Sequence, residues 1–189
     1  MTSDATTTGS GAHWPDYPTL LPRPLSDRQV KLLERARTHA ADFRTRADRY
    51  DKNNEFPHEN YEAMKASGYA HMTLEPKYGG DGVNILELCA CQEQLAQGDA
   101  GTAIGVNMHI FGIGVLQNDY QAYLAGGGEP DQREMALMGV GAAKMIMSGS
   151  FSETGQPGAY GMPQTKARRV DGGWIVNGRK AYDSNAINM

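Results

Sequence analysis

With 189 residues the chain has room for one domain, or for one and part of another. Hydrophobic residues at 40% and charged residues at 21% are those of an ordinary globular protein. A net charge of −4, with Asp48 interrupting the basic run of Arg44, Arg46 and Arg49, argues against a nucleic-acid partner, and no apolar run approaches the ~20 residues of a membrane span.

Residues 1–25 are rich in Thr, Ser, Gly and Pro, with no basic start followed by an apolar block, so they read as a flexible tail and not as a secretory signal. Ser26-Asp27-Arg28-Gln29 is a capping box that opens the first helix. Val30, Leu33, Ala36, Ala40, Phe43, Ala47 and Tyr50 then recur at three- and four-residue steps, predicting one helix of about six turns. A second helix starts at Pro57, turns Tyr61 and Met64 inward and stops at Gly68. The loop from Pro76 to Gly82 reads as a turn, with Gly79, Gly80 and Gly82 supplying positive φ; the strand and Lys-Ser or Lys-Thr that a phosphate cradle needs are not beside it. Asn84-Ile85-Leu86-Glu87 is a second capping box, for a helix running to Ala96 with Ile85, Leu88, Cys89 and Leu95 on its inner face. Asp99 caps the next helix, which is apolar nearly all round from Ala103 to Leu116, as suits the centre of a bundle. A short helix carrying Met135, Leu137 and Met138 follows Pro130.

The hydrophobic period changes at Met145. Met145, Met147 and Phe151 alternate with Ser148, Ser150 and Ser152, and Asp171-Gly172-Gly173 and Asn177-Gly178 both read as hairpin turns. The fold expected is therefore α+β: an all-α helical domain over 26–144, then the first strands of an antiparallel β domain over 145–189. A few strands of that length bury too little apolar area to stand alone, so the β part reads as truncated.

Most catalytic templates are missing. Gly139-Val140-Gly141 lacks the third glycine of a dinucleotide fingerprint and follows a helix, and the sequence has no Gly-x-Ser-x-Gly, His-Glu-x-x-His or Cys-x-x-Cys. Cys89 and Cys91 lie about 200° apart on a helix and cannot bond to each other; they read as small buried residues in a reducing cytoplasm. Of the five histidines, His109 on the most apolar helix is the one to watch, as a catalytic group or as a satisfied core or interface imidazole. The segment from Ser148 to Gly158 joins a strand to a loop dense in glycine and hydroxyls. Its free amides and Ser152 would suit a flat polar heterocycle or a phosphate, or simply a strand-to-turn exit.

These stretches, taken in order, resemble the acyl-CoA dehydrogenase flavoprotein family from about Leu25 to Asn188. Pro76-Lys77-Tyr78-Gly79-Gly80-Asp81-Gly82, followed by Glu93-Gln94-Leu95-Ala96 and Asp99, is similar to the family's P-x-x-Y-G-G-x-G … E-x-L-A-x-x-D stretch. Phe151-Ser152-Glu153, Thr165-Lys166-Ala167 and Asn177-Gly178-Arg179-Lys180 with Ser184-Asn185-Ala186 resemble its later strands. The resemblance implies FAD as cofactor. Phe151 and Ser152 are expected at the pyrimidine end of the ring system, and Tyr182, Asp183 and Ser184 along its other edge. It further implies an acyl-CoA or related substrate, a homo-oligomer at full length, and a catalytic base in a C-terminal bundle outside this sequence.

Two departures bear on the substrate. Where the family has Pro-Gly-x-Gly-Ser-Asp, this chain reads Thr154-Gly155-Gln156-Pro157-Gly158-Ala159, so Gly158 takes the position that contacts acyl-CoA. The family's Ile-Thr-Asn becomes Asp183-Ser184-Asn185. The expectation is α,β-dehydrogenation of an acyl thioester. The alternatives are a flavin monooxygenase of the same fold, or a non-catalytic remnant that acts as an interaction module.

Overall fold

The helices begin where the sequence offers a side-chain acceptor. In a computed structural model that describes residues 19–153 and 163–188, Ser26 and Asn84 each form both halves of a capping box, at the starts of α1 (Asp27–Arg44) and α4 (Ile85–Ala96). Asp99 accepts from the Thr102 amide to open α5 (Ala100–Ala125), and Asp131 does the same from the Arg133 amide for α6 (Gln132–Ala143). Gly68, at φ +76°, closes α3 (His58–Ser67) as the sequence predicts.

The single long helix expected up to Tyr50 is two. The Thr45 hydroxyl donates to the Asp42 carbonyl at 2.7 Å, and Arg46 adopts φ −131°, ψ −2°, after which α2 (Ala47–Asn53) sets off afresh. Arg46 is held there from both sides, by the Asp42 carboxylate and by the Asn60 side-chain Oδ1, to which its Nε donates at 2.6 Å. Tyr50 is buried all the same.

The core forms between these helices. Leu33, Ala36 and Phe43 of α1, Tyr61 and Met64 of α3, Leu88, Cys91 and Leu95 of α4, and Val106 and Ile110 of α5 pack into one cluster. A second cluster joins Ile113 and Tyr120 of α5 to Leu137 and Val140 of α6, with Leu74 and Tyr78 from the loop beneath. Two expectations need correcting. The inner stripe of α4 is Leu88, Cys91 and Leu95; Cys89, about 100° round the helix from Leu88, is exposed, and so is Ile85 in the first turn. α5 is covered on one side only among the described residues, so Ile104, Phe111 and Val115 face outward. Met135 and Met138 of α6 are exposed and only Leu137 of that group is buried.

After α6 the chain becomes extended. β1 (Lys166–Val170) and β2 (Gly173–Asn177) form an antiparallel hairpin, Lys166 opposite Asn177 and Val170 opposite Gly173, closed by Asp171-Gly172 with Gly172 at φ +83°. Asn177-Gly178 does not turn the chain back. It leads on to isolated bridges, Lys180 with Glu153 and Ser184 with Gly149, so 180–184 pairs with the earlier stretch 149–153. Gly178 serves a close approach instead: a Cβ there would fall on the Thr165 side chain.

Candidate functional site

The two extended stretches bring the sequence-predicted residues to one edge. Phe151 and Ser152 lie on the first stretch, and Tyr182, Asp183 and Ser184 on the second. The stretches are joined by the Ala181 amide donating to the Ser152 carbonyl at 2.8 Å and the Gly149 amide donating to the Ser184 carbonyl at 3.2 Å. Tyr182 is 83% exposed, at φ +66°. The Ser152 and Ser184 side-chain hydroxyls have no partner among the described residues. Asp183 differs from its neighbours: its carboxylate accepts from the Ser148 hydroxyl, and Ser148 with Ser150 holds it below the usual carboxylate range. Gly158 lies outside the described residues.

Glu153 fixes this edge from behind. Its Oε1 accepts from Lys180 Nζ at 2.7 Å and from the Thr165 amide at 3.0 Å, and its Oε2 from the Gln164 amide at 2.6 Å. The Lys180 ammonium foremost, then these donors, hold the carboxyl at about 2. One side chain thereby ties together the ends of three separate segments.

Beside the edge is a cleft of about 520 Å³. One wall mixes the aromatics Tyr50, Phe56 and Tyr61 with the polar Asp51, Asn54 and Glu55, and the Phe56 and Tyr61 rings lie 4.9 Å apart. The other carries Asp99, Gly101, Thr102 and Gly105 of the α5 start, together with Ser184 and Asn185. The Asp99 carboxylate is occupied, accepting from the Thr102 amide and hydroxyl at 3.0 and 2.7 Å and from Asn60 Nδ2 at 3.1 Å. Ser184 thus belongs both to the strand edge and to the wall of the cleft.

Sequence reasoning gave no role to Asn185, which is buried at the junction of strand and helices. Its Oδ1 accepts from the Tyr61 hydroxyl at 2.6 Å, and its Nδ2 donates to the carbonyls of Gly105 at 3.1 Å and Met147 at 3.4 Å. The signal that could have found it was its place within the Ser184-Asn185-Ala186 match. Tyr61 was read only as an inward-facing residue, and Asn60 and Thr102 were not singled out.

His109 is fully buried on α5. Its Nδ1 accepts from the Met147 amide at 2.9 Å, and its ring meets His71 edge-on at 5.6 Å. Burial first, then the neighbouring His71, pushes the imidazole down to about 3, so it is a neutral acceptor that holds the start of the extended segment. Among the described residues no group of His, Cys, Asp and Glu could hold a metal ion, and no helix is long and apolar enough to cross a membrane.

Residues 26–142 match the profile of the acyl-CoA dehydrogenase N-terminal domain. The YdbM protein of Bacillus subtilis (strain 168) is 31% identical over 164 residues, which is 83% of this chain and 40% of that protein. Isovaleryl-CoA dehydrogenase of Arabidopsis thaliana mitochondria is 26% identical over 162 residues, covering 84% and 38%. Among solved structures, butyryl-CoA dehydrogenase from Megasphaera elsdenii superposes with a TM-score of 0.71 at 22% identity, covering 89% of this chain and 43% of that one. A nitrososynthase from Micromonospora carbonacea var. africana gives 0.69 at 24%, covering 87% and 40%. The chain thus spans about 40% of the length of the relatives it resembles. The helical layer, the antiparallel strands that follow it and the profile match over most of the chain make it a member of the acyl-CoA dehydrogenase family, carrying that family's N-terminal domain.

Proposed function

We propose that this chain supplies part of the flavin site and part of the substrate cleft of an FAD-dependent oxidoreductase that dehydrogenates an acyl thioester. The observation that carries the reading is the juxtaposition at Ser184: a strand edge with two exposed aromatics, and two hydroxyls that have no partner among the described residues, runs directly into a cleft lined in part by Tyr50, Phe56 and Tyr61. The edge fits a flavin. Tyr182 offers a free ring face for a flat heterocycle, and the Ser152 and Ser184 hydroxyls can donate to the oxygens and nitrogens of its polar rim. Asp183, which would repel an electron-rich ring if it faced one, is drawn to Ser148 and Ser150. In this reading Phe151, Ser152, Tyr182 and Ser184 touch the ring and Asp183 holds the two stretches together.

A flavin bound there supplies the acceptor for a hydride. The protein's share is to hold the acyl chain in the cleft and orient it toward Ser184, with Phe56 beside Tyr50 and Tyr61 lending it apolar surface. Asp99 is not placed to take the substrate proton, because three donors already occupy it. Support for the cofactor and substrate class comes from proteins of the same fold: PigA has a solved FAD complex, and several relatives are acyl-CoA dehydrogenases by name.

The test mixes FAD-loaded full-length protein with a panel of acyl-CoAs under anaerobic conditions while following the oxidised flavin band. Rapid bleaching at micromolar acyl-CoA is the expected result. No bleaching by any acyl-CoA, together with oxygen uptake when reduced flavin is supplied, would replace the dehydrogenase by a monooxygenase.

A further inference from the structure

We propose that Asn185 is a positioning residue that locks the Ser184 edge to the helical layer through the Tyr61 hydroxyl, a proposal that rests on the flavin reading above. Asn185 is buried, at φ +72°, a left-handed conformation that asparagine tolerates better than other side-chain-bearing residues. That backbone turns its amide into the helical layer. The side chain there has one acceptor and one donor group, and both are used across three segments. The Tyr61 hydroxyl of α3 donates to Oδ1, and Nδ2 donates to Gly105 of α5 and to Met147 at the start of the extended stretch.

The chemistry fixes the orientation of the amide. The Gly105 and Met147 oxygens are carbonyls and can only accept, so Nδ2 faces them. Tyr61 must then donate, and burial foremost, with the nearby Asp99 charge, raises its phenol far above the ordinary range and keeps it protonated. Ser184 is the next residue along the chain, and its carbonyl accepts from Gly149. Moving Asn185 therefore moves the Ser184 hydroxyl and the pairing that sets the width of the edge. Tyr61, Gly105, Ser184 and Asn185 also line one cleft, so the anchor lies beside the place assigned to substrate.

Gly105 gives the arrangement a steric signature. A Cβ at this position would sit 2.6 Å from the Tyr61 hydroxyl oxygen but 3.8 Å from the ring carbon that bears it. Gly105→Ala thus displaces the hydroxyl and leaves the ring in ordinary contact. With Tyr61→Phe there is no hydroxyl to displace, and the alanine fits.

The experiment uses the full-length protein carrying Tyr61→Phe, Gly105→Ala, both together, or Asn185→Asp. It reads the FAD dissociation constant, the flavin potential and, in flavin-free protein, hydrogen exchange at the Gly149 amide. Each single change at Tyr61 or Gly105 should weaken FAD by about tenfold, the worth of one buried hydrogen bond, shift the potential and speed Gly149 exchange. The double variant should match Tyr61→Phe alone. Asn185→Asp should do more, since it sets a carboxylate against two carbonyls. Additive effects in the double variant, or an unchanged potential and unchanged Gly149 exchange in Tyr61→Phe and Asn185→Asp, would overturn the proposal. Wild-type protein that takes up no FAD would instead overturn the flavin reading, and the exchange measurement would then decide the anchoring by itself.

Discussion

In the helical portion Phe43, Met64, Val106, Ile110 and Leu137 are fully buried, whereas in the hairpin Trp174, Ile175 and Val176 keep 64%, 41% and 64% of their surface exposed. The helices are held by apolar area removed from water, shared among many contacts that each tolerate some adjustment. The strand portion is held by a few directional polar ties: Glu153 to Lys180, Gln164 and Thr165, Asn185 to Tyr61, Gly105 and Met147, and His109 to Met147. A two-stranded hairpin is marginal by itself, so these ties decide where the edge sits relative to the cleft. Burial supplies the platform, and a small number of hydrogen bonds aim the site.

The contrast predicts unequal costs. Phe43→Ala in the helical core should lower the unfolding free energy by about 3–5 kcal/mol, while Trp174→Ala, which loses little buried area, should stay within about 0.5 kcal/mol. Denaturant titration of the 189-residue chain checks both, and comparable losses would break the comparison.

Acid should strike the link between the two portions before the carboxylates protonate. Burial lowers His71 and takes His109 from 6.5 to about 3, so His109 stays neutral in the folded state through this range and His71 resists protonation in the same sense. The unfolded chain takes up their protons below about pH 6.5, so their contribution is full above that pH and shrinks as pH falls toward the folded values. The expected loss is about 1 kcal/mol for His109 between pH 6 and 5, and His71 adds to it in the same direction. Stability measured at pH 7, 6 and 5 should show this slope, and His109→Asn should reduce it. A flat profile would mean that these rings are not neutral anchors.

Smaller again is the effect of a helix start. Asn84→Ala removes the acceptor of the α4 capping box and should cost about 1 kcal/mol, seen as a lower denaturation midpoint with an unchanged slope.

The sequence was legible wherever a signal was local. Four residues sufficed for each capping box, and Gly68 and Asp171-Gly172 marked their turns because left-handed backbone favours glycine. What escaped depended on partners far along the chain. The apolar period runs unbroken through Thr45 and Arg46, while the break there is stabilised by Asn60 on another helix. Asn177-Gly178 has the composition of a hairpin turn, yet its glycine is needed against Thr165, and no two-residue pattern reports that contact. Ser152, Tyr182 and Ser184 are assigned to the flavin only through resemblance to a family. Asn185 sat in the same matched stretch, but its partners Tyr61 and Gly105 are 124 and 80 positions away.

The most direct test of the account compares the two exposed aromatics of the strand portion, Tyr182 on the edge and Trp174 on the hairpin. FAD is titrated into flavin-free full-length protein carrying Tyr182→Ala or Trp174→Ala. The account predicts FAD affinity lowered about tenfold or more by Tyr182→Ala, through lost ring contact, and unchanged by Trp174→Ala. Equal affinities in both variants and the wild type, or a loss confined to Trp174→Ala, would contradict the placing of the flavin beside Ser184.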